Sequence, residues 1–141
     1  MAISNRDILS ALASYLELYP EEAALLSEPV RWLSQGGNFA SRRSFPVHVT
    51  AGALLVRGTE ILLVEHRAYR IFLQPGGHLE PSDITLAGAA ERELAEETGV
   101  DPGTVSCVSQ APAHVEYGRV RARPEKDEPD HFHLDFGYAF T

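Results

Sequence analysis

The stretch from Pro75 to Val100, PGGHLEPSDITLAGAAERELAEETGV, decides the fold of this chain. It begins with a glycine pair, continues as a polar loop and ends in a segment with helical periodicity. Leu86, Ala90 and Leu94 recur every four residues and form the apolar stripe expected on the buried side of a helix. Gly99 stands where helices commonly end, because glycine adopts the left-handed conformation without strain. The stretch therefore predicts a glycine turn, a loop and one amphipathic helix.

Three glutamates fall on one face of this predicted helix. Glu93, Glu96 and Glu97 stand at positions i, i+3 and i+4, which brings their side chains together at a cost of about 0.2–0.5 kcal/mol per like-charge neighbour. A solvated acidic surface is the ordinary interpretation of such a charge run. However, Arg92 can pair with a carboxylate one turn away, and a hard cation such as Mg²⁺ would offset the repulsion because it binds carboxylates and phosphates.

These residues resemble the Nudix box, which spans residues 77–100 here. Its second half reads Arg-Glu-hydrophobic-any-Glu-Glu-any-Gly-hydrophobic, and residues 92–100, RELAEETGV, match it in full. Gly77 fits the opening glycine, but the family's loop glutamate is replaced by Asp83 and followed by eight residues, not seven, before the arginine. This looks like a one-residue loop insertion, seen in a branch whose box begins Pro-Gly-Gly-His. Either Glu80 or Asp83 then replaces the loop carboxylate.

The resemblance implies a pyrophosphohydrolase that cleaves the diphosphate linkage of a nucleoside diphosphate derivative or a similar metabolite. It also implies Mg²⁺ or Mn²⁺ as cofactor, held by Glu93, Glu96, Glu97 and the carbonyl oxygen of Gly77. Glu93 is then either a metal ligand or the base that takes a proton from water, and Arg92 assists catalysis by orienting the glutamates. The chemistry is consistent, since cleavage places negative charge on phosphoryl oxygens and needs a positioned water.

Two other functions are compatible with a Nudix-like fold. One is isomerisation of isoprenyl diphosphates, which needs further acid and base residues that the sequence does not reveal. The other is a non-catalytic domain that senses a nucleotide. Degenerate boxes usually mark such sensors, whereas all three helix glutamates are intact here. The hydrolase is therefore the favoured prediction.

The last stretch, HFHLDFGYAF at residues 131–140, alternates strictly between two kinds of residue and predicts a half-buried strand. His131, His133 and Asp135 share its polar face, where they could ligate a metal, touch a phosphate or shuttle a proton. With Arg67 and His78 they are our candidate substrate-binding residues. The spacing fits zinc in principle, but no further ligand cluster supports it, and the glutamates favour Mg²⁺ or Mn²⁺.

The rest of the chain predicts an α+β fold, an α/β/α sandwich with a Nudix-like mixed β-sheet and the catalytic loop-helix-loop. Residues 1–37 predict an N-terminal helical extension, with a first helix over 4–18 and a second beginning at Pro20. Residues 45–141 predict the Nudix domain, with a strand from Val47 and a buried strand over 61–64. The family usually adds a helix after the last strand, so either this chain lacks that helix or the N-terminal helices cover that sheet face.

Composition limits the partners that we expect. The chain has 141 residues, 44% of them hydrophobic, and a net charge of −8, which disfavours nucleic acid polymers and anionic membranes. It contains one cysteine, so no internal disulfide can form, and the N-terminus lacks the pattern of a secretory signal. We therefore predict a cytoplasmic protein that acts on a small-molecule diphosphate, with the apolar N-terminal helices as a potential homodimer contact.

Overall fold

The computed structural model describes residues 1–141 and contains three α-helices and seven strands. The helices are α1 (Asn5–Leu18), α2 (Ser27–Ser34) and α3 (Leu86–Thr98). The strands are β1 (Val47–Arg57), β2 (Glu60–Ile61), β3 (Val64–His66), β4 (Ile71–Leu73), β5 (Gly76–His78), β6 (His114–Val120) and β7 (His131–Phe140). Short 3-10 turns occur at 20–22, 102–104 and 124–126.

The main sheet is mixed and is centred on β1 and β7. Its strand order is β2-β1-β7-β6, and β5 also pairs with β1. β1 and β7 run parallel in register from Val47 opposite Phe132 to Leu55 opposite Phe140. The other strands pair antiparallel with their neighbours. This parallel pairing joins segments that lie more than eighty residues apart in sequence, so the register is a product of the tertiary fold.

One face of the sheet is apolar and forms the core. Because paired residues point to the same side, the register places Ala51 beside Phe136 and Val49 beside Leu134, and Val115 of β6 follows on that face. All five side chains are at most 2% exposed. The alternation predicted for β7 is thus observed, and its alternate residues point to the opposite face.

Helix α3 packs on this apolar face. Leu86, Ala90 and Leu94, the predicted stripe, are 5%, 0% and 1% exposed. The helix begins after Thr85, whose hydroxyl accepts a hydrogen bond from the Gly88 amide at 2.9 Å, as expected of an N-cap residue. It ends at Gly99, which has a φ of 76°. Local sequence signals therefore set both ends of the helix.

The N-terminal helices belong to the same core. A capping box between Ser4 and Asp7 starts α1, whose Ile8 and Leu12 are at most 1% exposed. The hydroxyl of Tyr117, on the apolar face of β6, donates a 2.7 Å hydrogen bond to Glu28 of α2. The N-terminal helices therefore lie on the same side of the sheet as α3, and the opposite face carries an open cleft. The division into 1–37 and 45–141 stays a prediction.

The α+β class and the mixed sheet are confirmed, but two local predictions are wrong. Residues 61–64 do not form one buried strand. Ile61 ends β2 and is 49% exposed, whereas Val64 begins β3, which pairs with β4 in a separate hairpin. The second helix does not begin at Pro20, which starts only a 3-10 turn, and α2 follows at Ser27. None of the helices combines the length and apolarity that crossing a bilayer requires.

Candidate functional site

Arg92 is the centre of a hydrogen-bonded network between the polar loop and α3. Its Nε and Nη2 donate to the two carboxylate oxygens of Asp83, each at 2.9 Å. Its Nη1 donates to Glu93 at 3.0 Å and to Glu96 at 3.1 Å, and its Nη2 also donates to the carbonyl oxygen of His78 at 3.0 Å. A guanidinium has five N–H donors, so this network uses the full capacity of the side chain.

Asp83, rather than Glu80, is the principal loop partner of Arg92. Glu80 stays half-exposed, with its carboxylate 3.5 Å from Nη1, whereas the Asp83 side chain is only 5% exposed. Asp83 also accepts a 2.8 Å hydrogen bond from the Glu80 amide. Burial alone would raise the pKa of Asp83, but the hydrogen bonds from Arg92 and the Glu80 amide hold it below its ordinary value. The loop insertion therefore keeps an ionised carboxylate against Arg92.

Gly77 leaves the space that Glu93 occupies. A methyl group at this position would lie 2.6 Å from Oε1 of Glu93, much closer than real contacts allow. Glu93 is 9% exposed, and this burial raises the pKa of its carboxyl although Arg92 opposes the shift. The glycine of the box is thus required because a buried carboxylate lies directly against its backbone.

Glu97 completes the glutamate set that the helix spacing predicts. Partial burial, followed by the negative charge of Glu93, raises the pKa of its carboxyl. Glu96 is exposed and is held by Arg92. The donor atoms here are oxygens, which suit a hard cation such as Mg²⁺ or Mn²⁺. A bound cation would also reduce the repulsion between the carboxylates, which adds to burial in raising both pKa values. In donor type the residues therefore fit the predicted metal.

A second cluster occupies the opposite face of the sheet. His78 pairs with Thr50 across β5 and β1, and His133 pairs with His48 across β7 and β1, so these side chains point away from α3. The ligand nitrogens of His48, His78 and His133 all lie within 4.8 Å of one another. His131 is next to them, with its Nε2 3.3 Å from Nε2 of His133. Four histidines from three strands thus meet below the cleft.

The hydrogen bonds of the cluster indicate which ring nitrogens carry a proton. His48 Nδ1 lies 3.1 Å from the carbonyl oxygen of Ser44, and His131 Nδ1 lies 2.7 Å from that of Pro129. A carbonyl oxygen only accepts, so both Nδ1 atoms are assigned as donors. In the neutral ring, Nε2 of His48 then has a free lone pair, and it is buried with no hydrogen-bond partner. Such an atom costs about 1–3 kcal/mol.

Burial favours the neutral imidazoles of His48, His78 and His133. It lowers the pKa of His48, and it lowers the pKa of His78 to about 4, with the positive charge of Arg42 as a smaller cause. The pKa of His133 falls to about 3, mainly through burial and then through the neighbouring histidines. Neutral imidazole is a metal ligand and a hydrogen-bonding group, but it does not neutralise a phosphate.

An open cleft of about 630 Å³ runs along this face beside the glycine pair. His78, His133 and Asp135, three of the predicted substrate-binding residues, line it. Asp135 accepts a 2.7 Å hydrogen bond from Thr50, and burial raises the pKa of its carboxyl. The cleft and the glutamates lie on opposite sides of β5. Gly77 contacts Glu93 on one side and lines the cleft on the other.

Two predicted substrate-binding residues lie elsewhere. His131 is 2% exposed and sits beneath the cleft, where it contacts His133 rather than open space. Arg67 is exposed in the turn between β3 and β4 and does not line the cleft. Sequence reasoning missed His48, although the period-two pattern of β1 places it on the same side as Thr50 and would have marked it as polar-facing.

Three solved structures are similar to this chain. A NUDIX hydrolase from Clostridium perfringens is 25% identical over 67% of this chain and 67% of that one, with a TM-score of 0.51. The Ap4A hydrolase of C. elegans is 19% identical, with coverages of 64% and 66% and a TM-score of 0.44. A NUDIX hydrolase from Nitrosomonas europaea is 24% identical, with coverages of 66% and 58% and a TM-score of 0.44. No curated protein matches the chain.

The family model gives the assignment over most of the chain. It matches residues 46–139, which run from the residue before β1 almost to the end of β7 and include the whole box. The match confirms the resemblance that the box suggested. The prediction that the protein is an enzyme is also confirmed, as a hydrolase of the Nudix type. The chain belongs to the NUDIX domain family.

Proposed function

We propose that the protein is a Mg²⁺-dependent hydrolase that cleaves the diphosphate linkage of a nucleoside diphosphate derivative or a similar metabolite. The observation that carries the proposal is the position of Glu93, which is buried against Gly77 and held by Arg92 at 3.0 Å. A costly buried carboxylate of this kind is typical of a functional site. Gly77, against which Glu93 lies, also lines the open cleft on the other side of β5.

Glu93, Glu96, Glu97 and the carbonyl oxygen of Gly77 are the residues that would hold Mg²⁺ or Mn²⁺. When bound, such a cation neutralises charge on phosphoryl oxygens and lowers the pKa of a bound water. The raised pKa of Glu93 makes it a better proton acceptor than an ordinary glutamate, so it also suits the role of base. Its assignment as ligand or base is open to experiment.

Arg92 acts as a positioning residue in this proposal. Its N–H groups are all engaged by Asp83, Glu93, Glu96 and the carbonyl oxygen of His78, which leaves none for a substrate. The hydrogen bonds to Asp83 raise the pKa of the guanidinium, so its charge is permanent at any working pH. It therefore fixes the distance between α3 and β5.

The cleft is the proposed place for the rest of the substrate. Its volume of about 630 Å³ is in the range of small-molecule sites, about 300–1,000 Å³. His78, His133 and Asp135 offer hydrogen bonds to a base or sugar, and Arg119 is the arginine of the lining. A diphosphate that reaches past Gly76 and Gly77 would lie between this cleft and the glutamates.

The test is release of phosphate or nucleoside monophosphate with and without Mg²⁺. The substrates are nucleoside diphosphate sugars, dinucleoside polyphosphates and oxidised nucleoside triphosphates. We expect Mg²⁺-dependent release, reduced by about 10²–10³-fold in Glu97→Gln, because the change removes one charge from the metal set. Glu91→Gln is the matched control on the same helix. It should keep wild-type rates, since Glu91 lies outside the glutamate set.

Tight nucleotide binding without turnover in the wild type would contradict hydrolysis and favour the sensing function. Equal rates in Glu97→Gln and Glu91→Gln would contradict the metal site. The cytoplasmic location, the homodimer and the absence of nucleic acid partners remain predictions.

A further inference from the structure

Four of the six histidines gather on the open face of the sheet, away from the glutamate set. The ring centroid of His48 lies 5.1 Å from that of His78, 4.9 Å from that of His131 and 4.7 Å from that of His133. The four residues come from β1, β5 and β7, so only the folded sheet brings them together. The hydrolase proposed above uses only His78 and His133, as hydrogen-bonding groups of the cleft, and gives no role to the buried His48.

We propose that His48, His78 and His133 form a second metal site, which takes Zn²⁺ or another cation that prefers imidazole. Their ligand nitrogens already lie within 4.8 Å of one another. Zinc binds histidine nitrogen at about 2.0–2.1 Å, so the three rings must draw in around the ion. His78 and His133 are only partly buried and border the cleft, which gives their rings room to do so.

The state of His48 points independently to a ligand. The ring is fully buried, and its Nδ1 donates to the carbonyl oxygen of Ser44. This leaves a lone pair on Nε2, which is buried and has no hydrogen-bond partner. A histidine that ligates a metal through one nitrogen usually donates the other N–H to a carbonyl or carboxylate. His48 thus has the proton arrangement of a metal ligand.

A hydrogen bond with His131 sets the proton position on the ring of His133. With Nδ1 of His131 donating to the carbonyl oxygen of Pro129, its Nε2 is an acceptor in the neutral ring. The 3.3 Å contact between the two Nε2 atoms then requires a proton on Nε2 of His133. This frees Nδ1 of His133 for a metal. His131 is therefore a positioning residue of the site.

The two metal sites differ in chemistry and place. The glutamate set offers oxygen ligands on the α3 side of β5, whereas the histidine cluster offers nitrogen ligands on the other side. Imidazole suits zinc and other late transition metals, and carboxylate suits Mg²⁺. Because His78 and His133 line the cleft, the fourth position of the ion would be open to water or to a ligand oxygen. This inference stands whether or not the hydrolase activity is found.

The experiment is a Zn²⁺ titration of the full chain after EDTA treatment, against a chromophoric chelator. It uses a Glu96→Gln/Glu97→Gln background, which removes the carboxylate site. We expect about one equivalent of tightly bound Zn²⁺. Loss of a second-shell partner already costs about 10–100-fold in affinity, so His78→Gln and His133→Gln should each weaken binding at least 100-fold. His66→Gln and His114→Gln, histidines outside the cluster, are the matched controls and should bind as tightly as the background.

Co²⁺ in place of Zn²⁺ gives a readout that needs no histidine variant. We expect strong visible d–d bands, typical of a four-coordinate site with imidazole ligands, and circular dichroism confirms that each variant is folded. Absence of Zn²⁺ binding at micromolar concentrations would overturn the proposal. So would equal affinity of His78→Gln, His133→Gln and the two controls, because the ion would then bind elsewhere.

Discussion

The two clusters on either side of β5 satisfy their polar groups in opposite ways. On the α3 side, Arg92 compensates the carboxylates through four hydrogen bonds at 2.9–3.1 Å and donates a fifth to the carbonyl oxygen of His78. On the cleft side, four histidines meet, and Nε2 of His48 has no hydrogen-bond partner. The first cluster is held together by charge within the protein, whereas the second is held by burial and by hydrogen bonds from His48 and His131 to backbone carbonyl oxygens. We therefore expect the free energy of unfolding to depend on the first cluster more than on the second.

Strand β5 connects the clusters through adjacent residues. Gly77 lies against Glu93, and the carbonyl oxygen of His78 accepts from Arg92 while its ring joins the histidines. A shift of β5 would therefore alter both clusters. The comparison teaches that a three-residue strand can separate a hard-oxygen site from a nitrogen site because alternate side chains point to opposite faces.

Removing Arg92 gives the largest expected effect on stability. Arg92→Gln leaves Asp83 and Glu93 buried without a counter-charge, and loss of one partner of a buried pair costs about 3 kcal/mol or more. Urea unfolding measures the change in the free energy of unfolding. Arg57→Gln is the control, because it breaks only the exposed ion pair with Glu60 and should change stability by less than about 1 kcal/mol. Equal losses in both variants would mean that the Arg92 network does not stabilise the fold.

Gly77→Ala should affect activity more than stability. The added methyl group would lie 2.6 Å from Oε1 of Glu93 and must displace that carboxylate. A misplacement of about 1 Å at a catalytic group can cost about 100-fold, so we expect kcat/KM to fall by about that factor. Steady-state rates in Mg²⁺ measure it. Gly103→Ala, where the new methyl group meets no atom closer than 3.4 Å, is the control and should keep wild-type rates. Unchanged rates in Gly77→Ala would remove Glu93 from the mechanism.

Glu93 and the buried histidines should respond to pH with opposite signs in the metal-free protein. Histidines whose folded pKa lies below 6.5 take up protons only on unfolding, so the free energy of unfolding falls as pH drops below about 6.5 toward about 3 for His133. Glu93 has a folded pKa above 4.5, so the folded state retains its proton longer. Its contribution to the free energy of unfolding therefore falls as pH rises through that window.

Urea unfolding across about pH 4–7 checks this opposition. His133→Gln should make the rise of stability with pH shallower, because it removes a group that protonates only in the unfolded chain. Glu93→Gln should make the rise steeper, because it removes a group with the opposite effect. A change of slope in the same direction in both variants would contradict the signs assigned to Glu93 and His133.

The glutamate site could be predicted almost completely from the sequence, whereas the histidine site could not. Residues 77–97 form one loop and one helix, so spacing alone places Glu93, Glu96 and Glu97 near each other and near Arg92. Even here, only the structure decides whether Glu80 or Asp83 is the principal loop partner of Arg92, because the inserted residue leaves either carboxylate within reach of the guanidinium. The histidines of β7 were recognised as a polar face, but their partners His48 and His78 are far away in sequence.

Two apolar runs also show the difference between what the sequence predicts and what the tertiary structure decides. The alternation in β7 predicted a half-buried strand, and its apolar side lies in the core. The apolar run over 61–64 gave an equally strong signal, yet Ile61 and Leu63 are 49% and 39% exposed. Periodicity describes which side chains share a face, but whether another element covers that face depends on the packing of the whole chain.

By itself the sequence determined the family, the loop-helix-loop of the box, the limits of α3 and the grouping of its glutamates. These features depend on helix periodicity, capping and glycine conformation, which act over fewer than about ten residues. Only the tertiary structure decided that Asp83 holds Arg92, that the N-terminal helices share the α3 side of the sheet, and that four histidines meet. The physical reason is that strand pairing fixes which distant residues become neighbours, and a linear pattern does not encode the register of β1 against β7.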